Sequence, residues 1–138
     1  MSSKDSNTPP IGKDDYERIS HFRYRLRHFL RISERLCKDQ GLTPLQYQLL
    51  LHIKGFRGRD WATIGELAER LQAHHHGVVA LIDRCEKLGL VARGPGRSDR
   101  RVVEVSLSPK GEELLARTAT LHQDELRMLL SEFAPHQA

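Results

Sequence analysis

Between Thr63 and Leu107 the chain reads TIGELAERL, a Gln72-Ala73 turn, HHHGVVALIDRCEKLGL, and two apolar segments held apart by GPGRSDRR. Few folds accommodate that order. Thr63-Ile64-Gly65-Glu66 is a capping box that opens a short helix with Leu67, Ala68 and Leu71 facing inward. The stretch from 74 to 90 puts Val78, Leu81, Ile82, Cys85 and Leu88 on one helical face. Gly89 follows where a left-handed residue ends a helix, which lets Leu90 fold back onto Cys85. Val103, Val105 and Leu107 then alternate with Glu104 and Ser106, the period of a half-buried strand, and Val91 to Arg93 can pair with it. The connection between them is too long for a two-residue hairpin turn. Two short helices, a tight turn and an immediate hairpin are the parts of a winged helix-turn-helix.

Long helical patterns flank this unit. Asp14-Asp15-Tyr16-Glu17 fits a capping box, and Ile19, Phe22, Leu26, Phe29, Ile32 and Leu36 recur at three- and four-residue steps up to Gly41. Thr43-Pro44-Leu45-Gln46 starts the next helix, with Tyr47, Leu50, Leu51 and Ile53 on its buried side, and Gly55, Gly58 and Asp60 break it. Ser108-Pro109 opens a last helix with Leu114, Thr118, Leu121, Leu126, Leu129 and Phe133 in a near-heptad stripe. MSSKDSNTPPIGK is polar and aperiodic, so residues 1–13 are expected to form a disordered arm ahead of a single domain over 14–138. The fold class expected is mainly α with a small β-hairpin wing.

Composition narrows the functional classes. With 138 residues, 38% of them apolar, the chain has room for one core. Lys and Arg outnumber Asp and Glu by 22 to 18, which favours an anionic partner. Cys37 and Cys85 stand far apart with no CxxC spacing and no apolar leader, and no apolar run approaches a bilayer span, so the expected location is the cytoplasm. No nucleophile, base and orienter are arranged as in an enzyme, and no phosphate-cradling Gly loop or HExxH occurs. No catalysis, cofactor or metal is expected. His74, His75 and His76 cannot converge on one ion, because consecutive helical residues point about 100° apart.

If the apolar face of the helix over 74–88 is buried, His76, Gly77, Ala80, Arg84 and Lys87 turn outward, with His75 near the leading end. Free amides and the positive end of the helix dipole there suit a phosphate. Such a helix enters the major groove, where Gly77 and Ala80 offer only close approach or contact with a thymine methyl. Arg97, Arg100 and Arg101, opposed by Asp99, hang from the wing over 93–102, and the planar, weakly hydrated guanidinium suits a narrow negative groove. Phosphate contacts are expected to supply much of the affinity.

From Gly41 to Leu115 the chain resembles the MarR family of bacterial transcription regulators, through GLTPLQYQLLLHIKG, TIGELAERL, VVALIDRCEKLGLVAR and above all SDRRVVEVSLSPKG, a wing signature of Asp, any residue, Arg, and a strand ending Leu-Ser-x-x-Gly. The resemblance implies that Asp99 braces the wing, that Arg101 enters the minor groove, and that Arg84 acts from the recognition helix. It implies a homodimer reading a palindromic operator, more often a repressor, with helices 14–40 and 109–134 as the dimerisation helices around a DNA-binding lobe at 43–107. It also implies a small, often anionic aromatic effector, for which His21, Tyr24 and His28 are the candidate ligand-binding residues. The sequence departs from the family at Ala80, where many relatives carry Arg or another polar residue, and in lacking a further C-terminal helix after Phe133.

Other residues have plainer readings. Cys37 and Cys85 are expected as buried small side chains. Tyr16, Tyr24, Tyr47 and Trp61 read mainly as packing, and Arg23, Arg25, Arg27, Arg31 and Arg35 as a solvated surface. A second functional class, a winged-helix protein-interaction module with weak DNA binding, is permitted by Gly77 and Ala80 and opposed by the wing arginines.

Overall fold

The computed structural model describes residues 9–133. Within them the order is α1 (Lys13–Asp39), α2 (Pro44–Lys54), β1 (Trp61–Thr63), α3 (Ile64–Leu71), α4 (His75–Lys87), β2 (Val91–Pro95), β3 (Val103–Leu107) and α5 (Pro109–Glu132). Most of the arm expected over 1–13, and the last residues of the domain expected to run to 138, lie outside the described residues. No helix among the described residues is long and apolar enough to cross a membrane.

Local chemistry fixes the helix starts. Thr43 and Gln46 exchange the two hydrogen bonds of a capping box at 3.0 and 3.1 Å, as do Thr63 and Glu66 at 2.9 and 3.2 Å. Ser108 Oγ accepts from the Gly111 amide at 3.0 Å with Pro109 in the first turn of α5. The start of α1 differs from expectation. Gly12 is its N-cap, and Asp15 reaches back to the Gly12 amide at 2.9 Å, so the box closes earlier than the Asp14 to Glu17 reading. Gly89 does take a left-handed φ, at +76°.

The core lies beneath α4. Leu49, Leu50 and Ile53 of α2, Leu67 of α3, Val78 and Ile82 of α4 and Val105 of β3 are essentially inaccessible. Two expected core positions turn outward. Leu51 is exposed because Leu49 and Leu50 carry the inner face of α2. Leu88 is exposed because it caps α4, and buried Leu90 fills the core in its place. The inner face of α5 runs through Gly111, Leu115, Thr118 and His122. Of the expected stripe, Thr118 is buried and Leu114 and Leu129 half-buried, whereas Leu121, Leu126 and Phe133 are open to solvent.

The hairpin gains a third strand. The sheet order is β1-β3-β2, both pairs antiparallel, with Trp61 opposite Ser106 and Val91 opposite Leu107. The central strand β3 therefore binds the segment entering the helix-turn-helix to the wing.

Candidate nucleic-acid interface

The turn between α3 and α4 is short because Gln72 takes the left-handed conformation (φ 52°) and the Ala73 amide bonds back to Ala68 O at 3.0 Å. This sets α4 across α3 with Val78, Leu81, Ile82 and Cys85 buried. Their burial decides what remains outside. His75, His76, Gly77, Ala80, Arg84 and Lys87 all lie on the exposed side of α4, as the helical period predicts. His74 is the N-cap but makes no side-chain capping bond, so the first-turn amides stay available at the positive end of the dipole. The rings of His74 and His76 stack in parallel at 5.7 Å.

The wing closes through Gly96 N donating to Val102 O at 2.7 Å and Val102 N to Asp99 O at 3.1 Å. Asp99 organises the tip. Its carboxylate accepts from the Arg101 amide at 3.0 Å and from Arg101 Nε and Nη2 at 3.1 Å each. These bonds, chiefly from the side chain, hold the Asp99 carboxyl below the usual carboxylate range. The Arg101 side chain remains 90% exposed, aimed but not covered. Arg100 is exposed and makes no hydrogen bond or ion pair among the described residues. Arg97 is different: its amide donates to Glu104 at 2.8 Å and its guanidinium lies 3.4 Å from the same carboxylate.

Three contributors escaped the sequence reading. Arg93, in the middle of β2, pairs with both Asp83 and Glu86 on α4 and so ties the wing to the recognition helix. The spacing of Asp83 and Glu86, one helical turn apart, was the available signal. Trp61 sits beside the wing, and His122 is buried between α1, α2 and α5.

The candidate ligand residues are only partly gathered. Tyr24 and His28 stack at 6.2 Å beside an open groove along α1 that Arg27 and Arg31 also line. His21 lies 6.5 Å from Tyr24, with which it lines a second open groove, and also reaches the α5 end, 3.4 Å from Glu132 and near Phe133. Both cysteines are buried: burial pushes the Cys85 thiol up to about 11 and raises that of Cys37, against a smaller opposing hydrogen bond from Ser33.

A helix-turn-helix with an exposed second helix lacking a side-chain N-cap bond, joined by ion pairs to an arginine-tipped β finger, defines a winged helix-turn-helix protein. Residues 40–102 match the sequence model of the MarR family. The HTH-type transcriptional regulator YsmB of Bacillus subtilis is 29% identical over 88% of this chain and 84% of its own length. The HTH-type transcriptional repressor MdtR of the same organism is 35% identical over 57% of this chain and 52% of its own. Among solved structures, AbsC, a MarR family transcriptional regulator from Streptomyces coelicolor, superposes with a TM-score of 0.74 at 22% identity, covering 93% of this chain and 86% of that one. Over residues 40–102 the chain is thus similar to the MarR family, and as a whole it shares the fold of AbsC.

Proposed function

We propose that the protein is a homodimer that binds double-stranded DNA at a palindromic operator and acts there as a repressor in the cytoplasm. The outer face of α4 carries this reading: His75, His76, Gly77, Ala80, Arg84 and Lys87 over an uncapped first turn, with the acids Asp83 and Glu86 neutralised by Arg93 and with Arg100 and Arg101 beside it on the wing. His75 and His76, with the first-turn amides, meet phosphate and the nearest base edges. Gly77 and Ala80 allow close approach, Arg84 and Lys87 reach the backbone or a base, and the wing cations Arg97, Arg100 and Arg101, of which Asp99 holds Arg101, add positive potential at the adjacent minor groove.

Exposed apolar side chains support dimerisation. Phe22 and Leu26 of α1, and Leu121, Leu126 and Leu130 of α5, are all exposed in the single chain and available to a second copy. A two-fold interface there, with 43–107 as the DNA-binding lobe, matches two half-sites of a palindrome. The repressor sign is supported by the name of MdtR. A small anionic aromatic effector finds ring faces in Tyr24 and His28 and cations in Arg27 and Arg31.

Selection of bound fragments from a random duplex pool, at low and moderate salt, tests this reading together with the mass of the protein in solution. An enriched inverted repeat and a dimer mass are expected. Enrichment of no duplex at either salt concentration overturns it.

A further inference from the structure

Arg97 differs from its wing neighbours in what it touches. Glu104, whose side chain is only 12% exposed, takes both its amide and its guanidinium. The guanidinium carbon also lies 5.3 Å from the centre of the Trp61 ring. Trp61 is in turn faced by Arg59 at 3.9 Å, Arg59 faces Phe56 at 4.1 Å, and Phe56 is faced at 4.9 Å by Arg70 in the last turn of α3. Glu66 of the α3 capping box compensates the charge of Arg59. Guanidinium groups and aromatic rings therefore alternate from the end of α3 to the wing. Each contact draws on the negative face of a ring, and a flat guanidinium serves it in a way a hydrated ammonium does not.

We propose that Arg97 is a positioning residue: it locks the wing to the Trp61, Arg59, Phe56 and Arg70 series, fixing the wing against the helix-turn-helix before DNA arrives. Arg100 and Arg101 are the cations left to meet phosphate. The proposal rests on the duplex-binding reading above. Its physical gain is preorganisation, because a wing already set in place loses little freedom on binding.

The full chain has one tryptophan, so its fluorescence reports on this site alone. Arg97→Ala, Arg97→Lys, Trp61→Leu and the double variant Arg97→Ala/Trp61→Leu are compared for binding to a mixed-sequence duplex at low salt. Arg97→Lys keeps the charge and loses the flat contact. It is expected to lose as much affinity as Arg97→Ala, about fivefold. Trp61→Leu, which removes no charge, should lose a similar amount, the double variant no more than either single change, and Trp61→Phe should restore binding. In the free protein both Arg97 variants should leave Trp61 more open to acrylamide quenching. Wild-type affinity in Arg97→Lys, or multiplied losses in the double variant, makes Arg97 an ordinary phosphate contact and overturns the proposal. If the unsubstituted chain binds no duplex, the duplex-binding reading fails instead. Quenching then still decides the clasp, and unchanged quenching in both Arg97 variants overturns it.

Discussion

Tyr47 and His122 lie ring over ring, 4.7 Å between centroids and 9° between planes, joining α2 of the lobe to α5. The imidazole is buried; its Nδ1–H donates to Thr118 O at 2.7 Å, and Nε2 pairs with the Ser33 hydroxyl of α1 at 2.8 Å. One side chain thus fastens three helices. His122→Ala should cost about 3 kcal/mol, combining a cavity with the lost bonds to Ser33 and Thr118, and Ser33→Ala about 1 kcal/mol. Urea unfolding measures both, and equal small losses would remove His122 from the fastening.

Gly111, the last residue of the LSPKG wing signature, packs where a Cβ would stand 2.0 Å from Leu90 O. Backbone cannot yield as a side chain end does. Gly111→Ala should destabilise by about 3 kcal/mol. Gly65→Ala in α3, with no atom within 4 Å of the added carbon, should instead stabilise by about 0.5 to 1 kcal/mol. The two urea midpoints should move in opposite directions.

At the wing tip, Arg101→Ala should weaken binding on all duplex sequences and reduce the slope of log affinity against log salt by about 0.9, the share of one phosphate. Titration at several salt concentrations reads this directly, and an unaltered slope takes Arg101 off the phosphate.

Partial burial, and secondarily Arg70, hold the His52 pKa below its ordinary 6.5. Below that pH the unfolded chain binds a proton that the folded chain refuses, so His52 lowers stability as pH falls from about 6.5 and levels off below its folded value. It has no effect above that range. His52→Gln should therefore lose less stability than the unsubstituted protein between neutral pH and pH 5, by chemical denaturation. Parallel curves would contradict this.

Much of this was legible in the sequence where one local rule acts without competition. Thr43 with Gln46 and Thr63 with Glu66 announced their helices because a capping box is complete within four residues. The outward set on α4 followed from a single strong period. Trp61–Thr63 escaped because three residues show no alternation and pair only with the distant β3. Leu51 and Leu88 were misjudged by a hydrophobic pattern that does not say which of several adjacent leucines points in. His122 could not be found from spacing, since its burial depends on Ser33 and Tyr47, far away in the chain. Arg97 looked like Arg101, and only the fold gives it Glu104 and Trp61.

The junction between α4 and α5 has a mechanical meaning. Lys110 Nζ donates to Leu88 O at 2.9 Å, Ser108 Oγ to Gly89 O and Ser108 N to Leu90 O at 2.9 Å, while Gly111 packs on that same carbonyl. Three successive carbonyls past α4 are gripped by the opening turn of a shaft more than six turns long. In the homodimer proposed above, a tilt of that shaft would carry the end of α4 with it as a tiller carries a rudder, so the spacing of the two reading helices would be set from a place remote from both.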